Sequence, residues 1–481
     1  MRDLEQIEKI IEKKQALLLD VSHKIWGFAE LPYAETRSCA LLCETLRKEG
    51  FTVEEGVAEM PTSFTGTFIN GAGKPVMGFL GEFDALDILS QEAGNPVRCP
   101  VKEGFPGHGC GHNALGAGSL GAAIALKEYL MANGKPGTVV YYGCAAEEGA
   151  GAKQFMARAG LFDSVDFIYT WHPANHSGVD GKGSNAIMGA NFEFTGVTSH
   201  AGGSPHLGRS ALDAAELMSV GVNYLREHTI DKARIHYAYA DAGGVSPNVV
   251  QDRTLVKYEV RSPKIAQVKE LFGRVVDVAR GAALMSGTVM KYEITFAFSD
   301  YIPNDALAKV AGECMKEVGA PKWDDEDYAL AKAFLDTYNE ETLRGIREQA
   351  AELYGSDRVD EVLAKPLDDA VQPYDPSDAK IVSGGSTDVG DVTYAAPTLN
   401  LRVATACIGN VGHTWQTTAQ AGSRLADKGL LTAAKVLALS AIRTMDRPDV
   451  IARAKELVLR QNGGKYVCPL PDTLHPPVGR Y

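Results

Sequence analysis

Three features are scarce or missing in this sequence: long apolar runs, clustered cysteines and an excess of basic residues. No stretch approaches the roughly 20 apolar residues that cross a bilayer, and the eight cysteines are dispersed along the 481 residues. Lysine and arginine total 48 against 61 aspartates and glutamates, which gives a formal net charge of −13. We therefore expect no membrane-spanning protein, no disulfide scaffold and no nucleic-acid partner.

The composition that remains is that of an ordinary globular protein, with 45% apolar and 23% charged residues. Residues 1–11 are charged and amphipathic, which is not the pattern of a signal peptide. Dispersed cysteines without such a signal are typical of reduced thiols. We therefore expect a cytoplasmic protein.

The length predicts two domains or more, and the order of elements predicts how they are arranged. Alternating strands and helices indicate a doubly wound α/β domain with a mixed sheet, divided between residues 1–189 and 302–481. Between them, residues 190–301 have the order strand, helix, strand, strand, helix, strand, which predicts an inserted ferredoxin-like α+β domain. The charged segment 320–380 has few apolar anchors and is a candidate second insertion.

A glycine-rich segment at residues 107–113 carries the first chemical signal, Gly-His-Gly-Cys-Gly-His-Asn. Cys110 and His112 are two positions apart, and the flanking glycines let the backbone fold tightly enough for thiolate and imidazole to converge on one ion. A Cys-x-His pair alone is more often a buried thiol beside a loop histidine. The pair therefore needs further ligands elsewhere in the chain.

Those further ligands follow apolar runs. Glu147 and Glu148 come directly after the apolar segment 138–146, which predicts a buried strand ending in a loop. Adjacent carboxylates at such a strand end can take separate tasks, one holding metal and one handling a proton. His172 in Trp-His-Pro and His413 in Gly-His-Thr add two imidazoles. Each residue alone has an ordinary structural explanation, but together they predict a two-metal hydrolase.

These motifs, in this order and around an inserted domain, resemble the metallo-aminoacylase and glutamate carboxypeptidase superfamily, and within it the hippurate and auxin-conjugate amidohydrolase branch. The resemblance runs nearly the full length of the chain. It extends to Ser204–Ala214, Ser246–Gln251, Gly281–Met285, Ser386–Asp391 and His413–Gln416. It implies that the insert is a lid and dimerisation domain and that a cysteine replaces the usual bridging aspartate.

The resemblance implies a role for each ligand. Cys110 would bridge two divalent cations, with Glu148 and His413 completing one site and His112 and His172 the other. Thiolate softness favours Zn²⁺, while members of this branch are often manganese enzymes, so both metals stay open.

Glu147 would be the general base that deprotonates water and returns the proton to the leaving amine. Asp84, at a predicted strand end, is either a carboxylate that orients a ligand histidine or a turn and helix-cap residue. His108 lies on the other side of the cysteine, but the family pattern does not use it, and we assign it a structural role.

The resemblance also assigns residues of the insert. His200 would reach into the site of a neighbouring subunit and stabilise the tetrahedral oxyanion. Asn248 and Arg261 match positions that grip the substrate carboxylate, for which a guanidinium is well suited. His206 could contribute to recognition of the substrate side chain or simply stand at a helix N-terminus.

In the segment 384–388, Gly385 and Ser386 offer backbone amides that could bind an anion, unless this is an ordinary glycine-rich loop. The expected function is cleavage of the amide bond in an N-acyl or N-aroyl amino acid, with p-aminobenzoyl-glutamate as the expected small-molecule substrate. Alternatives are an indole-3-acetyl-aspartate type hydrolase, a dipeptidase or a non-catalytic partner subunit, although the complete ligand set argues against the last. We expect a homodimer or a heterodimer with a related subunit.

Overall fold

A computed structural model describes residues 2–479. Met1, Arg480 and Tyr481, which the predicted discontinuous domain includes, lie outside the described residues. The first part of the chain forms ten elements: α1 (Arg2–Phe28), α2 (Thr36–Lys48), β1 (Thr52–Glu55), β2 (Phe64–Asn70), β3 (Val76–Glu82), α3 (His112–Asn133), β4 (Gly137–Cys144), α4 (Lys153–Arg158), β5 (Phe167–Ala174) and β6 (Gly178–Val179). Of these, the sequence did not predict β1 or β6.

The middle of the chain forms a separate four-stranded sheet with two helices. Its elements are β7 (Ala186–Thr195), α5 (Ala211–Leu225), β8 (Arg234–Asp241), β9 (Arg253–Ser262), α6 (Ile265–Ser286) and β10 (Val289–Phe298). The strand order is β10-β7-β9-β8 and every pair is antiparallel, which is the ferredoxin-like arrangement. β7 begins four residues before 190, the predicted start of the insert.

The last part of the chain is mostly helical. It comprises α7 (Asp305–Val318), α8 (Asp325–Leu335), α9 (Glu340–Tyr354), α10 (Val359–Ala364), α11 (Val389–Ala395), β11 (Thr398–Ala404), α12 (Trp415–Ala421), α13 (Arg424–Met445) and α14 (Pro448–Asn462). The sequence did not predict α14. Within residues 2–479, no helix has both the length and the apolar character that crossing a membrane requires.

The larger sheet is built from both ends of the chain. Its order is β1-β2-β4-β3-β5-β11-β6, in which β4, β3, β5 and β11 are parallel and the outer strands are antiparallel. The predicted α/β fold with a mixed sheet is therefore confirmed. Since the carboxyl ends of the four parallel strands meet at one edge of the sheet, residues that follow them lie close together.

Helix α3 packs directly on the sheet because its small residues permit a close approach. It contacts β3, β4 and β5 on one side and α1 and α13 on the other, and most of its residues are buried. A Cβ atom on Gly118 would lie 2.8 Å from the Trp171 ring, and one on Gly116 would lie 2.7 Å from the Glu82 carbonyl oxygen. The first residue of this helix is His112, so the packing fixes a candidate ligand against the sheet.

The segment 320–380 is ordered and has small apolar cores of its own, which the sequence analysis did not expect. α8, α9 and α10 bury Ile346, Val359 and Leu363 among themselves together with Ile408 of the loop after β11. Gly409 permits this contact, because a Cβ there would lie 2.3 Å from the Ile346 side chain. The segment is therefore packed against the loop that leads to His413.

Candidate metal centre

The predicted ligands converge at the carboxyl edge of the parallel strands. Cys110 lies in the turn before α3, Glu148 follows β4, and His172 lies in the last turn of β5. Gly111, in the left-handed region at φ +80°, makes the turn that places Cys110 and His112 side by side. The structure thus brings together residues that are up to 300 positions apart in the chain.

The side chains form two triads that share the cysteine. One triad is Cys110, His112 and His172, the other is Cys110, Glu148 and His413, and within each the ligand atoms all lie within 4.8 Å of one another. The Cys110 Sγ atom is 3.4 Å from His172 Nε2, and His413 Nε2 is 3.5 Å from Glu148 Oε1. This is the grouping that the family resemblance implies for two neighbouring cations.

Unpaired buried atoms test whether cations fit here. His112 Nε2 and Glu148 Oε1 are buried without a hydrogen-bond partner among residues 2–479. Such atoms are costly unless something else satisfies them. Thiolate, imidazole and carboxylate together suit Zn²⁺ or Mn²⁺, and burial raises the pKa of the Cys110 thiol to about 12, so a thiolate there needs a cationic partner. The residues therefore fit two divalent cations.

Hydrogen bonds aim the histidines at the shared centre. Asp84 Oδ1 is 2.8 Å from His112 Nδ1, and Asp84 Oδ2 accepts the backbone N–H of Glu148 at 2.8 Å. His172 Nδ1 donates to the Pro173 carbonyl oxygen at 2.8 Å, which leaves the lone pair of Nε2 facing Cys110. Of the two interpretations of Asp84, the structure thus provides the contact with a ligand histidine.

Glu147 borders both triads without belonging to either. Its Oε1 atom accepts a hydrogen bond from the Thr387 hydroxyl at 2.9 Å, and its Oε2 atom is 4.0 Å from His112 Nε2. Burial, with the nearby carboxylates of Glu82 and Asp388, raises the pKa of Glu147 well above its usual range. The carboxylate is held by one oxygen and faces the ligands with the other.

Beneath the ligands lies a buried ion cluster that the sequence analysis missed. Lys153 Nζ is 2.7 Å from Glu82 Oε1 and 2.6 Å from Asp388 Oδ1, and all three side chains are almost fully buried. Glu82 Oε2 in turn lies 3.3 Å from His112 Nε2. A lysine in Gly-Ala-Lys-Gln-Phe gives no sign of this role, because both of its partners are distant in sequence.

The loop that carries His413 is held from two sides. His413 adopts φ +58°, and its backbone N–H donates to the Gly109 carbonyl oxygen at 3.0 Å. The Val411 N–H donates to the Tyr338 hydroxyl at 3.0 Å, and the Ile408 N–H donates to the Pro366 carbonyl oxygen at 2.7 Å. Residues of the 320–380 segment therefore position this loop.

The same segment also holds the chain that follows His172. Asp368 Oδ2 accepts the Ser177 N–H at 2.6 Å, and the Gln372 N–H donates to the Ser177 carbonyl oxygen at 2.8 Å. Two ligand-bearing segments are thus tied to one insertion. The sequence could not show this, because charge and length alone do not reveal which loops a segment contacts.

Two cavities open onto the ligands. The main cleft, of about 630 Å³, is lined by Glu147 and by the predicted anion-binding residues Gly385 and Ser386, and the Ser386 hydroxyl is buried without a partner within residues 2–479. A side pocket of about 240 Å³ adjoins Cys110 and His172. The structure thus places the 384–388 loop at the candidate site.

The predicted residues of the insert do not reach this site within one chain. His200, His206, Asn248 and Arg261 line neither cavity. His200 is exposed, and its Nδ1 atom accepts the N–H groups of Gly202 and Gly203 at 3.1 and 2.9 Å. Arg261 pairs with Glu259 at 3.2 Å, on the strand it belongs to.

His108 lies outside both triads. It is buried, and its Nε2 atom is 3.0 Å from the Ile25 carbonyl oxygen. Burial lowers its pKa to about 4, so the ring is neutral at pH 7. This agrees with the structural role that the sequence analysis assigns.

Comparison with known sequences gives two matches that cover most of the chain. The sequence pattern of peptidase family M20/M25/M40 matches residues 78–441. One of the two subunits of the p-aminobenzoyl-glutamate hydrolase of Escherichia coli (strain K12) is 38% identical over 478 residues, which is 98% of each chain. The resemblance seen in the sequence is thereby confirmed.

Solved structures share the fold. An aminobenzoyl-glutamate utilization protein from Klebsiella pneumoniae is 19% identical with a TM-score of 0.61, over 91% of this chain and 98% of that one. A Bacillus subtilis protein described as a dinuclear metal-binding peptidase of family M20 is 16% identical with a TM-score of 0.58, over 90% and 99%. At these identities the likeness concerns the fold alone.

Proposed function

The chain belongs to peptidase family M20/M25/M40, and from that premise we propose that it is a two-metal amidohydrolase acting on N-acyl or N-aroyl amino acids. The observation that carries the proposal is the pair of ligand triads joined at Cys110. The expected substrate is p-aminobenzoyl-glutamate, supported by the 38% identity to part of a hydrolase of that compound over 98% of the chain.

For the metal centre we propose that Cys110 is shared, that His112 and His172 complete one site, and that Glu148 and His413 complete the other. Two divalent cations, when bound, supply Lewis acidity that polarises the amide carbonyl and makes water acidic at neutral pH. The donor set accepts both Mn²⁺ and Zn²⁺.

Glu147 is the proposed general base. Thr387 fixes one of its oxygens, and the other faces the ligand cluster, where it can take a proton from water. The same carboxyl group then gives the proton to the amide nitrogen as the amine leaves. Because Glu147 stands outside both triads, its removal should cost turnover and leave metal binding intact.

We propose that His200 acts in the site of a second subunit. Since its Nδ1 atom accepts two backbone N–H groups, the ring proton lies on Nε2, and this nitrogen can donate a hydrogen bond to the oxyanion. Its position outside the cavities of its own chain supports action across an interface. Asn248 and Arg261, with His206, would travel with it and bind the substrate carboxylate and side chain.

An exposed sheet edge supports dimer formation through the insert. β8 is the outer strand of the four-stranded sheet, and Tyr237 and Tyr239 on it are 39% and 38% exposed. Long edges with apolar side chains are sites of strand pairing between chains. The dimer is either homodimeric or formed with a related subunit, and the proposed compartment is the cytoplasm, where the eight free thiols stay reduced.

The test uses the purified chain alone, loaded with Mn²⁺ or Zn²⁺, against a panel of N-acyl amino acids. We expect hydrolysis of p-aminobenzoyl-glutamate, a Glu147→Gln variant that keeps two metals but loses several orders of magnitude in turnover, and a Cys110→Ser variant that loses metal. Preference for indole-3-acetyl-aspartate or a dipeptide would replace the substrate. Absence of all hydrolysis, with both metals bound, would point to a non-catalytic partner subunit.

A further inference from the structure

The side pocket next to the ligands has a mixed polar lining. It shares Cys110, His172 and His413 with the main cleft, and Arg402 and His176 lie on the boundary between the two cavities. Its volume of about 240 Å³ is sufficient for a small substituent and not for a whole substrate. A group placed here would therefore sit directly beside the proposed metal centre.

Arg402 reaches this pocket from β11. It lies opposite His172 in the parallel pairing of β11 with β5. Asp180 Oδ2 accepts hydrogen bonds from Arg402 Nε and Nη2 at 3.2 and 3.0 Å, and Asn400 Nδ2 donates to the same oxygen at 3.1 Å. One edge of the guanidinium is therefore fixed in place.

The other edge of the guanidinium is free to bind a ligand. Among residues 2–479, Arg402 Nη1 makes no hydrogen bond, yet it is not among the buried polar atoms that lack a partner. The Arg402 side chain is 37% exposed, and the cavities are what it is exposed to. An arginine held on one side and open on the other is preorganised for an anion.

The remaining lining of the pocket carries no compensating charge. Apart from the proposed metal ligands, the other polar residues that line it are neutral: Asn175, His176, Thr405, Asn410 and Thr417. Burial, with the neighbouring Arg402, lowers the pKa of His176 to about 4, so this ring is uncharged at pH 7. The carboxylate of Asp180 lines the main cleft and not the pocket.

We propose that the side pocket is a carboxylate subsite in which Arg402 binds an anionic group of the substrate. The proposal deepens the proposed function, on which it rests for the identity of the substrate. The subsite belongs to the same chain as the metal ligands and is separate from Asn248 and Arg261 of the insert. An N-acyl glutamate offers two sources of the anion, the α-carboxylate and the side-chain carboxylate.

The experiment compares three substrates that separate these sources: p-aminobenzoyl-glutamate, p-aminobenzoyl-glutamine and p-aminobenzoyl-isoglutamine, which lacks the α-carboxylate. The variant is Arg402→Gln combined with Asp180→Asn, because removing Arg402 alone would leave a carboxylate without its partner. Lys182→Gln is the matched control, since it removes one positive charge from the main cleft outside the side pocket. Thermal unfolding verifies that all variants are folded.

We expect the double variant to raise KM by about 10- to 100-fold, the range for a lost charge-assisted hydrogen bond. If Arg402 binds the side-chain carboxylate, this loss applies to the glutamate and isoglutamine compounds and spares the glutamine compound. If it binds the α-carboxylate, the isoglutamine compound is spared. Equal KM values for wild type and variant with all three compounds, or an equal shift in Lys182→Gln, would overturn the subsite.

A binding measurement separates this inference from the proposed function. Titration calorimetry follows N-benzoylglutamate, a non-aminated analogue, with the metal-loaded protein. If wild type hydrolyses none of the compounds but binds the analogue, and the double variant binds it at least tenfold more weakly, the subsite stands and the proposed reaction fails. If wild type neither hydrolyses nor binds, both are overturned.

Discussion

Replacing Lys153 by methionine should be among the most damaging single changes in this protein. The ammonium group is fully buried and contacts Glu82 at 2.7 Å and Asp388 at 2.6 Å. Although burial lowers the pKa of Lys153, Asp388 and Glu82 raise it well above its usual value, so the group is charged. Methionine fills a similar volume but leaves two carboxylates facing each other with no cation between them.

The expected loss follows from that geometry. Breaking a buried ion pair by removing one partner typically costs about 3–5 kcal/mol of unfolding free energy, since an uncompensated charge stays buried. The loss here should lie at the upper end of this range, because two carboxylates lose the same partner. Adding Glu82→Gln and Asp388→Asn to the lysine variant should restore more than half of it, since neutral amides can accept the remaining backbone hydrogen bonds.

Urea unfolding of the metal-free protein, followed by tryptophan fluorescence, measures this. All four tryptophans lie outside residues 186–298, so the signal reports on the part of the protein that contains the cluster. The reasoning would be refuted if Lys153→Met cost less than about 1 kcal/mol, or if the triple variant were no more stable than the single one. Metal titration of the same samples shows whether His112, next to Glu82, still binds.

Three further outcomes are expected. Asp391→Asn should remove part of the pH dependence of stability: burial raises the pKa of Asp391 to about 7, so the folded state binds a proton that the unfolded state releases, and stability falls as the pH rises from about 4 to 7. Urea midpoints at each pH measure this, and a variant with an unchanged slope, with Ser299, Tyr466 and Asp388 still in place, would contradict it. Tyr338→Phe should weaken the binding of one of the two metals by about tenfold, because Val411 loses its partner in the His413 loop, and calorimetric titration with Zn²⁺ or Mn²⁺ checks this. Mixing His200→Ala with Glu147→Ala chains after dissociation should restore about a quarter of the sites if His200 serves the partner subunit, whereas a mixture proven to have exchanged and still inactive would exclude that.

The ligands could be predicted from sequence because each stands in a short pattern with a local cause. Glycines around Cys110, the apolar run before Glu148 and the proline after His172 mark turns and strand ends, and strand ends in an α/β sheet collect functional residues. Their convergence did not require knowing any distant contact. The alternation of elements was enough to predict the sheet and the βαββαβ order of the insert.

The residues that escaped prediction are those whose meaning depends on partners far along the chain. Lys153 and Arg402 look like ordinary surface cations, and only the fold brings Asp388 to the first and Asp180 to the second. Segment 320–380 appeared charged and poorly anchored, because its apolar residues are few and bury themselves against one another and the loop before His413. The position of His200 outside its own cleft could not be read from sequence either.

The pairing of β5 with β11 has a consequence during synthesis. Residue 174 ends one strand and residue 398 begins the other, so on the ribosome the inner edge of β5 stays open while the intervening chain is made. At about 5–20 residues per second, that interval lasts on the order of 10–40 s. The four-stranded sheet can fold in that time, but the central sheet remains incomplete, and an open strand edge invites pairing with other chains. Slow-folding nascent chains of this protein are therefore expected to depend on chaperones, and metal uptake belongs to the period after release.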